Sequence, residues 1–476
     1  MTPTMEPDLH VLLERQRQAF LTDGPPDIHR RKAQLAQLRA SVLVRRRAFQ
    51  EAVSTDFGHR SRHETDLMEL LGVVQTIDYL RRNLSRFMRP ERRHVGLFYR
   101  SGRAFVEYQP KGVIGVMAPW NYPVSLSLIP LATALAAGNR VMLKPSELTP
   151  RTSAMIRDML AEIFTPEEVS VVLGGPEVGA MFCGLPFDHL LFTGSTGVGR
   201  KVMKAASDNL VPLTLELGGK SPVVVARGHT NDRTLGAIVF GKLSNAGQTC
   251  VAPDYAFVHE DDLEAFVTGY GAAVARTYPQ GPAGQDYTAI VSDRHYERLT
   301  GLLDDARRRG ARVVDVGAHP EAAANRPRTL APTLVLGAGD DAALMQEEIF
   351  GPILPVRTYR AIDEVADYVN GRPRPLALYY FGDRDADCAR LLARTTSGNV
   401  GINNTMIHVA QDDLPFGGIG QSGMGAYHGI EGFRAMSHAK GVFVQGRWNL
   451  PSLLRAPFGR LADLAAAFTL RSSGKR

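Results

Sequence analysis

A chain of 476 residues, 44% hydrophobic and 22% charged, is long enough for two or three packed domains and has an ordinary globular composition. That balance argues against a disordered or membrane-spanning protein. The net charge of +6 is mild, and without a basic face bearing reading aromatics it gives no case for a nucleic-acid partner. Three cysteines, Cys183, Cys250 and Cys388, are an odd number and share no metal-ligand spacing. They point away from a disulfide framework and a metal site, and toward a reducing, cytoplasmic setting.

Met1-Thr2-Pro3-Thr4 lacks the basic-then-apolar signature of a signal peptide. From about Pro7 to Arg89 the pattern predicts helices, with Leu9, Leu12, Leu13 and Phe20 as an early apolar stripe. The basic runs Arg30-Arg31-Lys32 and Arg45-Arg46-Arg47 flank Ile28, Leu35, Leu38, Val42 and Phe49. This spacing fits one helix face, with the arginines on the solvated side. A turn-rich stretch after Arg89-Pro90 leads to the alternating Phe105-Val106-Glu107-Tyr108, which predicts an extended arm.

From Val113 strands and helices alternate. Strands are predicted at Val113–Met117, Arg140–Leu143, Val169–Leu173 and Leu190–Phe192, with helices at Ser125–Ala137 and from near Arg151. A second alternating region, Val223 to about Asn404, holds strands Val223–Val225 and Arg312–Val314 and a helix over Leu263–Val274. The fold class is therefore α/β, with parallel sheets covered on both faces. Leu414 to Gly425 is glycine-rich and predicted to be an ordered loop. The tail stretch Leu461–Leu470 contains Asp463 and falls short of the ~18 apolar residues that span a bilayer. With Arg455, Arg460 and Arg471 around it, it reads as a helix docked on the protein or lying at a membrane surface, not as an inserted segment.

Two glycine clusters compete as phosphate loops. Gly418-Ile419-Gly420-Gln421-Ser422-Gly423 matches G-x-G-x-x-G literally, but Leu414-Pro415-Phe416 before it is no strand of a βαβ unit. Gly194-Ser195-Thr196-Gly197-Val198-Gly199 follows an apolar strand and opens a helix, whose free N–H groups can accept a diphosphate. An ordinary strand–helix turn is the alternative.

Three motifs carry candidate chemistry. Gly247-Gln248-Thr249-Cys250 sets a lone thiol in a polar turn, where the bland reading is a small buried hydrophobe. Leu215-Glu216-Leu217-Gly218-Gly219 places a carboxylate between leucines at a strand end. Desolvation there raises its pKa toward that of a general base, unless it simply accepts the Gly218 and Gly219 amides. Asn121, in Pro119-Trp120-Asn121-Tyr122-Pro123, offers an amide to an oxyanion or forms an Asx turn before the proline.

Together with Leu143-Lys144-Pro145-Ser146-Glu147, Phe192-Thr193-Gly194-Ser195 and Glu347-Glu348-Ile349-Phe350-Gly351-Pro352, these motifs stand in the order of the aldehyde dehydrogenase superfamily. The chain resembles that superfamily over roughly residues 8 to 445. The ending Leu414–Gly418 and Ser422–Gly429 resembles its class-3 branch, and Val409-Ala410-Gln411-Asp412-Asp413 is similar to bacterial coniferyl aldehyde dehydrogenases.

The resemblance implies a Rossmann-like cofactor domain (1–89 and 111–217), an α/β catalytic domain (218–404), a bridging β-arm (90–110 and 405–445), a tail (446–476) and a homodimer. It implies Cys250 as nucleophile, Glu216 as the base that activates water, and Asn121 with the Cys250 amide as oxyanion donors. Cofactor contacts are implied at Trp120, Lys144, Glu147, Thr193, Gly194, Ser195, Leu217, Glu348 and Phe350. Glu147 should favour ribose hydroxyls over a 2′-phosphate, so NAD is the first choice, with NADP open because Lys144 stands beside it. Tyr122, Thr249, Met406, Phe416 and His428 match positions near the aldehyde tunnel, although His428 serves equally as core packing. Their apolar and aromatic character suits an aromatic or medium-chain aldehyde, coniferaldehyde first. The rivals are a CoA-acylating enzyme, against which Glu216 argues, and a non-catalytic protein on the same fold.

Overall fold

The computed structural model describes residues 8–449, 452 and 455–472. The start of the expected cofactor domain, 1–7, and parts of the expected tail (450, 451, 453, 454 and 473–476) lie outside the described residues.

A first sheet of six strands has the order 423–424, 213–217, 189–194, 113–117, 140–144, 169–171 and is parallel except for its Gly423–Met424 edge. A second sheet of seven has the order 312–315, 333–336, 353–359, 255–259, 222–225, 377–381, 399–402, parallel except for Arg312–Asp315. Every residue of Val113–Met117 and of Arg140–Lys144 is buried, as required of strands covered on both faces. The helix Ser125–Ala137 is buried at every position except Leu126, which explains a sequence without charged residues in which only Ser125, Ser127 and Thr133 are polar. The expected strands are present, with ends shifted by one or two residues.

The third sheet is antiparallel: Arg103–Pro110 pairs with Glu91–Arg93 on one side and along its whole length with Ser437–Val444 on the other. The stretch 405–445, expected in the arm, divides. Only Ser437–Val444 enters this sheet; Gly423–Met424 joins the first sheet, and the helix Gly429–Ala435 packs on Ser125–Ala137 and Leu71–Phe87.

The N-terminal basic region needs one correction. It forms two helices, Ile28–Val44 and Arg46–Phe57, which meet at Arg45. Leu35, Leu38, Val42 and Phe49 are buried as expected, but Arg31 is buried with them. Its guanidinium donates to the carbonyls of Pro26 (2.8 Å) and Ala136 (3.1 Å). The second bond satisfies a carbonyl at the C-terminal end of Ser125–Ala137, where no intrahelical donor exists. Burial brings the Arg31 pKa down to about 10.

The two large sheets meet end to end. Residues that follow the first sheet's strands (119–121 and 195) face residues that precede the second sheet's strands (Cys250, 346–350 and 371–374) across one cavity of about 930 Å³. Strand 113–117 is where the first sheet's order reverses, so Trp120 and Asn121 emerge at its switch point, the usual ligand crevice of such sheets.

Candidate active site

Cys250 sits on a turn forced by an unusual backbone. After the helix Asp232–Leu243 the chain passes through three left-handed residues, Asn245 (φ 53°), Ala246 (φ 50°) and Gly247 (φ 75°). Such conformations are costly for L-residues, so the surroundings must hold them. At Gly247 a Cβ would lie 2.3 Å from the Gly351 carbonyl, which leaves room only for glycine between the two loops. Gln248 is buried and fully used: its amide donates to Asn245 O (2.9 Å) and Ala289 O (3.1 Å), and its oxygen accepts Val291 N–H (3.0 Å). The half-buried thiol beyond it opens on the cavity. Burial pushes the Cys250 thiol well above its ordinary range, and the Glu216 and Glu348 charges push the same way against the Cys250 and Val251 amides.

Glu216 is 1% exposed, and its Oε1 has no hydrogen-bond partner among the described residues. Burial, then the neighbouring Glu348, pushes its pKa up to about 8. The bland alternative of Gly218 and Gly219 amides bonding Glu216 is not what forms: the Gly219 amide serves Glu348 instead. Glu348 is held at about 8 by desolvation and Asp254. A Cβ on Gly218 would fall 2.0 Å from Glu348 Oε2, so that glycine is what admits the carboxylate. Arg298 and Lys220 fix the Glu348 loop by donating to the backbone carbonyls of Glu348 (3.3 Å) and Glu347 (2.9 Å) respectively. Lys220 also pairs with Asp254.

Asn121 is 3% exposed, and its side-chain amide donates to Gln248 O at 3.1 Å, two residues before the thiol. Its own carbonyl accepts Arg60 Nη1 (3.2 Å) and Asn245 Nδ2 (2.9 Å). Trp120 beside it meets Phe350 and His295 edge-on, at ring distances of 5.3 and 4.8 Å. Phe350 is itself left-handed (φ 53°), a strained conformation for a bulky residue.

Of the expected cofactor contacts, Trp120, Thr193, Gly194, Ser195, Leu217, Glu348 and Phe350 line the cavity. Thr193 Oγ1 is buried without a partner. Ser195 caps the helix Thr196–Ser207, whose first N–H groups open at the cavity end. Gly199 lets this helix press on the strand beneath, since a Cβ would meet Leu217 at 2.6 Å. Lys144 and Glu147 are not in the cavity's lining; the lysine is buried and lies 3.4 Å from the Glu147 carboxylate.

The five expected aldehyde-tunnel residues do not line this cavity. Tyr122 and Thr249 share a hydroxyl hydrogen bond of 2.8 Å. Phe416 stacks on His428 at 5.1 Å and meets Tyr427 edge-on. Cys250 and Met406 pack, partly buried, against the core that contains Phe416 and Tyr427. His408, not anticipated from sequence, joins this group 6.2 Å from Phe416. Both ring nitrogens of His408 and Nδ1 of His428 lack partners among the described residues, and burial lowers both imidazoles to about 4, so they are neutral at pH 7.

Sequence reading also missed His295, Arg298, Lys220, Arg374 and Gln421 in the cavity wall, and Asn245 behind it. The glycine cluster 418–423 supports the site from below, since Gly423 pairs with Glu216 and the Ser422 carbonyl accepts Leu217 N–H (3.0 Å). A Cβ on Gly423 would strike Leu215 O at 2.2 Å, so these glycines let a loop lie flat against the strand that carries Glu216.

This geometry has known counterparts. The aldehyde dehydrogenase family matches residues 8–442. A probable coniferyl aldehyde dehydrogenase of Caulobacter vibrioides is 48% identical, covering 95% of this chain and 94% of its own length. A coniferyl aldehyde dehydrogenase of a Pseudomonas species is 46% identical over 96% and 95%. Among solved structures, Staphylococcus aureus AldH in a substrate-bound state superposes with a TM-score of 0.90 at 36% identity, covering 97% of this chain and 99% of that one. A Mycobacterium tuberculosis aldehyde dehydrogenase complexed with NAD+ gives 0.82 at 27% identity, over 92% and 90%. The chain belongs to the aldehyde dehydrogenase family and is an oxidoreductase that acts on aldehydes with a nicotinamide cofactor.

Proposed function

We propose that this enzyme oxidises an aromatic aldehyde of the coniferaldehyde type to its acid through a thioester on Cys250. The observation that carries the reading is the Glu216 carboxyl, fully buried, without a partner at Oε1 and opening on the same cavity as the thiol. A buried unpaired acid costs stability, and a pKa near 8 suits a base that takes a proton from water.

The Cys250 sulfur attacks the aldehyde carbon, and the Asn121 amide with the Cys250 backbone N–H receives the developing oxyanion. Burial and two nearby acids keep the resting thiol protonated, and its proton passes to solvent in the open cavity as the adduct forms. After oxidation leaves a thioester, ionised Glu216 deprotonates the water that attacks it, the C–S bond breaks, and Cys250 leaves as a thiolate that is reprotonated as the acid departs.

The residues present fit a nicotinamide dinucleotide. The cavity runs from a capped helix N-terminus, suited to a diphosphate, to the thiol, and Thr193 Oγ1 offers a buried unpartnered hydroxyl. Ser195, Gly194 and the helix start would hold the diphosphate, and Glu348, Phe350, Trp120 and Leu217 the nicotinamide end. When bound, the cofactor supplies the hydride acceptor. The Lys144–Glu147 pair lies outside the cavity's lining, so NAD as first choice rests on the resemblance, in which a carboxylate at Glu147 would accept ribose hydroxyls and repel a 2′-phosphate while Lys144 would leave NADP accepted.

The substrate class rests on the coniferyl-aldehyde relatives and on the aromatic group of Phe416, Tyr427, His408 and His428, of which Tyr427 is near enough to Cys250 to feel its charge. A homodimer is proposed through the arm, where Ser437–Val444 is an edge strand that exposes Phe443 and Val444. Within the described residues no helix is long and apolar enough to cross a membrane.

The test is NADH and NADPH formation by the wild type and Cys250→Ala on coniferaldehyde, benzaldehyde, hexanal, decanal and succinic semialdehyde. Best turnover on coniferaldehyde, lost in the variant and independent of CoA, is expected. Turnover only with added CoA would replace this reading with an acylating one. Cofactor binding without turnover would make the protein a non-catalytic member of the fold.

A further inference from the structure

We infer that Asn245 is a positioning residue that orients Asn121 for the oxyanion, an inference that rests on the oxyanion role proposed above. Both hydrogens of the Asn245 amide are accounted for: Nδ2 donates to the Asn121 carbonyl (2.9 Å) and to the Gln248 carbonyl (3.1 Å). That Gln248 carbonyl also receives the Asn121 side-chain amide (3.1 Å). The three residues close a ring in which Asn245 fixes the backbone of Asn121 and the acceptor of its side chain together. A primary amide carries two N–H groups. Asn121 spends one inside the ring, and the other is left for the cavity.

Asn245 cannot be turned the other way. With its oxygen in place of its nitrogen, two carbonyls would face a third acceptor, so the bonds fix the orientation. Its own Oδ1 is buried without a partner, a cost tolerated for the sake of those two donations. The backbone is held as well: Asn245 N–H donates to Glu64 Oε1 (2.8 Å), and Glu64 accepts Thr288 Oγ1. At φ 53° asparagine is among the few L-residues that tolerate the left-handed region. The backbone conformation suits asparagine or glycine, and the two side-chain donations select asparagine. Arg60 Nη1 supplies the only other donor to the Asn121 carbonyl among the described residues.

The test compares Asn245→Gly, Asn121→Ala and the double variant in the full-length enzyme, with thermal melts on each. Glycine keeps the left-handed backbone and removes both donors. Asn245→Gly is expected to lower kcat by about 100-fold, the scale of a misplaced reacting group, and by less than outright loss of an oxyanion donor. NADH affinity by fluorescence and Cys250 alkylation by iodoacetamide should hold within about twofold, since neither needs the Asn121 amide. In the Asn121→Ala background the same change should cost less than about threefold more, because the group it positions is gone.

Asn245→Asp is the second variant. Its neutral acid has one donor proton and its carboxylate none, so kcat should fall as pH rises through that carboxyl's pKa. This limb opposes the rising wild-type limb set by Glu216, and a general packing defect would not produce it. Unchanged kcat in Asn245→Gly, multiplicative losses in the double variant, or alkylation falling in step with kcat would each overturn the inference while leaving the oxyanion role of Asn121 intact. Full activity in Asn121→Ala would sink the oxyanion reading itself, and this one with it.

Discussion

Two buried glutamates, one tied to Asn121 through Arg60 and one sharing its cavity, are treated in opposite ways. Glu69 is fully buried, pairs with Arg60 at 2.8 Å, and accepts the Val124 and Ser125 amides at 2.6 and 3.1 Å. Burial pushes its pKa up, and Arg60 and the two amides pull against that. Glu216 is as deeply buried but has another acid, Glu348, for a neighbour and no partner at Oε1. A satisfied buried carboxylate holds structure in place, here the start of the helix after Pro123. An unsatisfied one stores a driving force for taking up a proton. Glu69 thus serves the architecture and Glu216 the chemistry.

The sharpest way to break that contrast is to neutralise each acid. Glu216→Gln should lower steady-state turnover by roughly 10³-fold, within the usual range for loss of a general base. Glu69→Gln should retain the wild-type pH profile of whatever activity remains. Steady-state assays across pH 5 to 10 on both variants decide this.

Stability should move the other way. The Glu216 pKa is raised from 4.5 in the unfolded chain to about 8 in the fold, so between those values the folded state holds a proton that the unfolded state lacks. This contribution makes the wild type less stable as pH rises from 4.5 to 8. Glu216→Gln should therefore melt above the wild type, by a margin that grows over that window and levels off above it. Arg60→Met should do the reverse, costing about 3–5 kcal/mol by leaving Glu69 buried and unpaired. Thermal or urea melts of both variants at pH 5, 7 and 9 measure each sign.

A smaller effect concerns the rate itself. Wild-type kcat should rise with pH along a limb centred near 8, where Glu216 ionises. Replacing the neighbouring acid, Glu348→Gln, should shift that limb to lower pH, because the charge of Glu348 is the second cause of the raised Glu216 value. A limb that stays in place would break the proposed coupling. Least of all, His408→Phe should leave hexanal turnover within about threefold and weaken KM for coniferaldehyde more, since only a polar aromatic aldehyde can use the unpartnered ring nitrogens.

The alternation of apolar strands and helices was legible because strands buried on both faces, such as Val113–Met117, have no polar positions to blur the pattern. Cys250, Glu216 and Asn121 stood out because each interrupts such a pattern at a strand end or tight turn. Asn245 and Arg60 left no such mark. An asparagine two residues before a glycine reads as a turn, and an arginine in a helical, charged stretch reads as surface; each acts through a partner far along the chain, Glu64 and Asn121 for Asn245 and Asn121 for Arg60. Arg31 misled for the same reason, since the carbonyl that buries it belongs to Ala136. The glycines at 418–423 matched a phosphate loop by spacing alone, while their use depends on a strand some 200 residues earlier, which local spacing cannot reveal.

The central claim is that Glu216 releases an acyl group held on Cys250. Its most direct test is intact-protein and peptide mass spectrometry of Glu216→Gln after mixing with coniferaldehyde and NAD. A stoichiometric burst of NADH is expected, with an acyl adduct on the Cys250 peptide that persists through slow turnover. Undiminished steady turnover with no adduct on that cysteine would contradict the claim.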